Sequence, residues 1–301
     1  MNTEKWQFLA GCAGGETPQH LFLAVESIDN ISSGEIKTMF CVYHQGEWYS
    51  YATLPNWTTI AMTALKSQRD DLWIIFAIDQ SGNIWELTPF KNIEKCYKYT
   101  DKLGITNICT IDNEVYVCGM GRYFSKRDLG GNWVDISAPL PSYDDGVIGF
   151  VSVAGVKEEI YAVGWKGEIW LYKNKKWLQE DSPTNSNFNS ITYSESENTY
   201  YIVGDSGVIV KGRSGEWSII DVETDFNLLD VCIYDNNIYI CSDFSVFILD
   251  KSNLNYDLSF LDEELPLTCL KLFAAKGNGL FSIGSQDVYQ KLNKEWKRIC
   301  E

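Results

Sequence analysis

The side chains of this 301-residue sequence that could do chemistry are 41 acids, 25 Lys and Arg, nine cysteines and two histidines, His20 and His44. Both histidines fall in the first 44 residues, so a His-based triad or a zinc site would have to be built almost entirely from one short segment. His44, just before Gln45-Gly46, reads as a turn-edge residue. No G-x-x-x-x-G-K-[ST], H-E-x-x-H or calcium-loop pattern occurs. Paired carboxylates are the one catalytic arrangement left open, because 41 acids offer many pairs. The expectation is a non-catalytic protein with no cofactor and no metal.

The cysteines stand at 12, 41, 96, 109, 118, 232, 241, 269 and 300, an odd number without a C-x-x-C pair in a chain too large to need stapling. Reduced thiols fit that pattern. A two-residue turn at Asn113-Glu114 would set Cys109 opposite Cys118, and one at Asn236-Asn237 would do the same for Cys232 and Cys241. A turn displaced by one residue separates both pairs and leaves free thiols packed as small apolar groups.

A net charge of −16 sets up a field that repels nucleic acid and anionic membranes and favours a basic or neutral partner; it also serves plain solubility. No apolar run approaches the roughly 18–20 residues needed to span a bilayer, and Met1 to Phe8 lacks a basic stretch followed by an apolar one. The expected location is the cytoplasm, and the expected state of the isolated chain is monomeric. Hydrophobic residues at 45% and aromatics at 14% allow a large core and lean towards strands.

The elements that must position these residues emerge from internal repetition. Cys109-Thr-Ile-Asp112-Asn113-Glu-Val-Tyr116-Val-Cys118 parallels Cys232-Ile-Tyr-Asp235-Asn236-Asn-Ile-Tyr239-Ile-Cys241 as strand, polar turn, strand. A second signature joins Asp79-Gln-Ser-Gly82-Asn-Ile84, Gly164-Trp-Lys-Gly167-Glu-Ile169 and Gly204-Asp-Ser-Gly207-Val-Ile209, where glycine permits the positive φ of a tight connection. A short turn then leads to an aromatic at Trp48, Tyr97, Trp133, Trp177, Trp217, Tyr256 and Trp296, the last five spaced 39 to 44 residues apart. That period is the size of a four-stranded propeller blade. The expected architecture is all-β, one seven-bladed β-propeller over residues 1–301, with antiparallel blades near 6–54, 58–100, 105–138, 148–180, 188–222, 228–259 and 267–301. Six or eight blades are the alternatives, because Gly14-Gly15 and Asn30 to Gly34 stretch the first unit. Ring closure is expected by blade packing.

The G-x-x-G-x-apolar turn followed by a strand and a turn Trp resembles the BNR or Ycf48-like propeller repeat (a WD40-type architecture) over nearly the whole chain. Asp128-Leu-Gly130-Gly-Asn-Trp133 resembles the end of an Asp box, with Ser125 one residue out of place. The resemblance specifies fold more than function. Sialidases with such repeats need three convergent arginines, whereas Arg69, Arg122, Arg127, Arg213 and Arg298 are the only five here, and Arg127 and Arg213 map to turns away from the usual site face.

Naming the strands of each blade A to D, alternation puts the D-to-A and B-to-C connections on one face of the ring. That face is expected to carry Asp29, Asp79, Asp101, Asp144, Asp145, Glu180, Asp181, Asp205, Glu223, Asp225, Asp243, Asp262, Glu263, Glu264 and Asp287 against Lys102, Arg122 and Lys166. Lys173, Lys175, Lys176, Lys211, Lys291 and Lys294 fall on the other, offset by comparable acids. Trp57, Tyr143, Trp165, Phe188, Phe226 and Phe244 lie in or beside the acidic loops, and aromatic anchors ringed by charge are what protein interfaces use. The predicted partner-binding set is therefore these aromatics with Asp101, Asp144, Asp145, Asp181, Asp205, Asp225, Asp243, Asp262, Glu263 and Glu264. The expected partner is a basic protein, with no nucleic acid and no membrane. One concrete form is an immunity protein that neutralises a cationic toxin, effector or nuclease. A glycan-binding or sialidase-like propeller and a Ycf48-like assembly factor are the alternatives.

Overall fold

Strand B of blade 5, Thr199–Gly204, is buried at every residue, whereas strand D, Glu216–Ile220, is exposed or half-buried throughout. A continuous apolar run belongs inside a sheet covered on both faces, and a polar run to an outer edge. In the computed structural model this gradient organises seven four-stranded antiparallel sheets, each ordered A-B-C-D. The structure describes residues 5–14, 20–44, 46–67, 72–91, 93–140, 148–156, 158–259, 268–275 and 279–300. The blades span 6–55, 59–98, 105–135, 150–180, 188–220, 230–259 and 271–298. The first-blade insertion Asn30 to Gly34 falls largely in a short helix, α1 (Ile28–Ser33).

A strands of successive blades lie side by side around the axis, the seventh against the first. They line a central cavity of about 220 Å3. Their polar side chains bond across to the next blade. Thr106 Oγ1 donates to the Phe150 carbonyl at 2.6 Å, Ser152 Oγ accepts from Ile191 N at 3.2 Å, and Asp230 accepts from Ser190 Oγ and from Leu272 N at 2.9 Å. Among the described residues the ring closes by packing, with no strand donated from the far terminus: Phe8 N donates to Ser285 O at 2.8 Å and Trp48 Nε1 to Ile299 O at 2.9 Å. Each blade junction holds its own apolar cluster.

The repeated aromatic of strand D turns out to be an inter-blade staple. Trp133 Nε1 donates to Tyr97 Oη, Trp177 Nε1 to Ile136 O, Trp217 Nε1 to Glu180 Oε2 and Trp296 Nε1 to Asp257 Oδ2, in every case reaching back to the preceding blade. The glycine signature needs a refinement. Gly167 and Gly207 do take positive φ, both 71°. Gly164 and Gly204 are extended, and a Cβ there would meet the Gly149 and Asn187 carbonyls at 1.9 and 2.1 Å. Their role is close approach of the D-to-A segment to the B-to-C turn.

The cysteine pairs are separated by the displaced turn. Asp112 and Asn113 (φ 48° and 63°), and Asp235 and Asn236 (φ 50° and 59°), form the two-residue turns, so Cys109 faces Tyr116 and Cys232 faces Tyr239. All nine thiols are free, and among them Cys96 alone is exposed. Burial pushes the Cys118 and Cys269 thiols up to about 12. A native-state thiol titration with an aromatic disulfide reagent is expected to modify Cys96 rapidly and the other eight only on unfolding; prompt loss of further thiols would contradict this packing. Trp217→Phe should lower unfolding free energy by roughly 1.5–3 kcal/mol in a urea titration, because a hydrogen bond to a buried carboxylate is lost.

Candidate functional site

Two consecutive B-to-C turns share one construction. The backbone N–H of left-handed Lys166 (φ 57°) donates to Asn187 Oδ1, and that of Ser206 (φ 56°) to Asn227 Oδ1, both at 3.0 Å. Each asparagine belongs to the D-to-A connection that follows, so the two kinds of loop are tied together. Asp205 adds to this by accepting from Asn187 Nδ2 at 3.1 Å and Asn189 Nδ2 at 3.0 Å. Gly207 N donates to the Phe226 carbonyl at 2.7 Å. The loop face over blades 4 to 6 is thereby fixed through its backbone.

On this face Asp29, Asp101, Asp181, Glu223, Asp225 and Asp243 are exposed, as are Glu35, Asp135 and Asp221. Its exposed cations among the described residues are Lys98, Lys102, Lys166 and Lys271. Lys98 donates to Asp101 at 2.9 Å and holds its carboxyl below the usual range. Lys291, assigned to the opposite surface, is instead buried against Asp257, with its ammonium over the Tyr239 and Trp296 rings.

The predicted set divides in four. Asp101, Asp181, Asp225, Phe226, Asp243 and Phe244 are exposed, Phe226 at 37% and Phe244 at 58%. Trp165 and Asp205 are half-buried, and Asp205 acts on the loops themselves. Trp57 and Phe188 are corrected: they are core residues, 4% and 0% exposed, and Trp57 packs between blades 1 and 2 with its indole N–H on Thr59 Oγ1. Tyr143, Asp144, Asp145, Asp262, Glu263 and Glu264 lie outside the described residues. Three more acids assigned to the face are withdrawn from solvent. Asp79 caps its own turn through Ser81 N and Asn83 N, Glu180 accepts from Trp217 and Gly215 N, and Asp287 pairs with Arg298 at 2.7 Å. Sequence reasoning missed Ile31, Ile36, Leu103 and Leu140, exposed on this face at 44–75%. Apolar residues inside turn segments were the available signal.

Among the described residues the arginines do not converge. Arg122 pairs with Glu168, Arg127 with Glu86 and Arg213 with Glu159, each across a blade junction; Arg69 lies outside the described residues. Burial of Arg122 in its pair also removes it from the face's exposed charge. The two histidines stack with ring centres 4.1 Å apart, and burial together with the neighbouring His44 lowers the His20 pKa. Among the described residues no three His, Cys, Asp or Glu side chains are grouped to hold a metal ion, and no helix is long and apolar enough to cross a membrane.

These features define a seven-bladed propeller with a fixed acidic loop face, and the likeness to BNR and Ycf48-type propellers holds at the level of the fold. The chain is 35% identical over 200 residues to the immune protein Tsi7 of Pseudomonas aeruginosa, an alignment covering 65% of this chain and 64% of that protein. It thus spans just under two thirds of the length of the relative it matches. YCF48 from Cyanidioschyzon merolae superposes with a TM-score of 0.68 at 12% identity over 94% of each chain. A structure described as YCF48 bound to D1 peptide gives 0.67 at 11% identity, covering 99% of this chain and 94% of that one. No family model matches.

Asp205→Ala should cost about 1–3 kcal/mol by removing two amide bonds to a carboxylate, and should speed hydrogen exchange at Ser206 and Gly207. Unchanged exchange there would show that the backbone bonds alone hold the face.

Proposed function

We propose that this chain is a non-catalytic, cytoplasmic protein-binding propeller that acts as an immunity protein, capturing a basic toxin or effector on its D-to-A/B-to-C face. The observation that carries the reading is the asymmetry of that face: nine exposed carboxylates against four exposed lysines among the described residues, interspersed with exposed apolar side chains. Such a surface steers a cationic protein into encounter and then gains affinity by desolvating the apolar side chains. Loops tied down by the Asn187 and Asn227 bonds lose little entropy on binding. The 35% identity to a protein named for immunity supports the same role, and the commitment of four arginines to carboxylates fits a task without catalysis.

The test uses the basic protein that copurifies with the native chain. Reversing Asp181, Asp225 and Asp243 to Lys should slow association at low salt by roughly tenfold or more and flatten its salt dependence. It should also abolish protection of cells that express that protein. Unaltered association and protection would overturn the proposed face.

A further inference from the structure

Every cation laid over an aromatic ring in the described part of this protein is also paired with a carboxylate. Arg122 sits over Trp170 and pairs with Glu168; Arg127 over Phe76 with Glu86; Arg213 over Tyr193 with Glu159. Lys126, Lys211 and Lys291 repeat the arrangement with Tyr116 and Glu114, Tyr201 and Glu197, and Tyr239 and Asp257. Ring and carboxylate together replace the water that a cation gives up, the ring through its quadrupole and the acid through charge.

In the connection between blades 5 and 6 and in the B-to-C turn of blade 6 an exposed ring follows an acid directly in the chain, and among the described residues no cation lies over either ring. Phe226 and Phe244 are the exposed aromatics of the acidic face among the described residues. Phe226 follows Asp225 directly, and Phe244 follows Asp243. The Phe226 ring rests against Phe247, with centroids 6.4 Å apart, and Phe247 belongs to the strand that leaves the Asp243-Phe244 turn. Segments 181–187, 205–207, 221–229 and 243–244 contain six acids and no Lys or Arg. Elsewhere on the face the exposed apolar side chains are aliphatic, and Leu103 has Lys102 beside it.

We infer that this quadrant is an arginine-binding subsite: an arginine-bearing segment of the protein partner lays a guanidinium on Phe226 or Phe244 and pairs it with Asp225, Asp243 or Glu223. Arginine is favoured over lysine because its planar, weakly hydrated group stacks on a ring while bonding a carboxylate in the ring's plane. The protein's own example with a phenyl ring, Phe76, holds an arginine. This subsite rests on the acidic-face reading.

The experiment is calorimetric titration of the full chain with an arginine-rich peptide and its all-lysine counterpart at low salt. Wild type is expected to bind the arginine peptide roughly fivefold more tightly. Phe244→Ala, and separately Phe226→Ala, should erase much of that preference while leaving charge-driven binding, and Leu103→Ala should leave it intact. Phe244 stands in an exposed turn, so its truncation spares the fold, and circular dichroism checks Phe226→Ala. Equal affinity for the two peptides, or a preference that survives both substitutions, overturns the subsite and retains the acidic face. Failure of both peptides to bind overturns the face as well.

Discussion

The indole N–H of strand D is where this ring is held together. Seven twisted sheets standing edge-on around an axis bury both faces against their neighbours, so most polar atoms drawn into a junction must find their partners there. Trp133, Trp177, Trp217 and Trp296 solve this by reaching back to the preceding blade, and Trp48 does the same across the closure. Arg127–Glu86, Arg122–Glu168 and Arg213–Glu159 apply the rule to charges, each with a ring to shield the guanidinium. The aromatic-plus-carboxylate cradle is thus a repeated building unit.

Because the junctions are self-sufficient, one loop face is free to specialise. In blades 4 and 5 its connections lie on one another so closely that Gly164 and Gly204 have no room for a Cβ. Asp205, Asn187 and Asn227 then lock neighbouring turns together. The result, over blades 4 to 6, is an acidic surface held through its backbone. In the proposed reading a partner meets this preformed surface, and affinity that would otherwise be spent on ordering loops is retained.

Much of the fold was legible in the chain. The Asp112-Asn113 and Asp235-Asn236 duplication, the paired glycines and the spaced tryptophans follow from turn geometry and strand alternation, which act over a few residues. The candidate site was legible in its charge and only partly in its anchors. Phe226 and Phe244 are exposed, whereas Trp57 and Phe188, equally close to loops by position, fill inter-blade cores. Leu103 and Leu140 went unnoticed because an aliphatic residue in a chain carries no sign of whether a neighbouring blade covers it.

By itself the amino-acid order determined the repeat, the seven-blade ring and the sign of the charge on the D-to-A/B-to-C face, since each depends on local periodicity or on charge that turns must expose. Tertiary packing decided which aromatics reach solvent, which arginines and acids are consumed between blades, and that Cys109 and Cys118 stand apart. Those outcomes depend on one residue of register and on contacts between blades tens of residues apart, such as Trp217 with Glu180, and no local pattern encodes them.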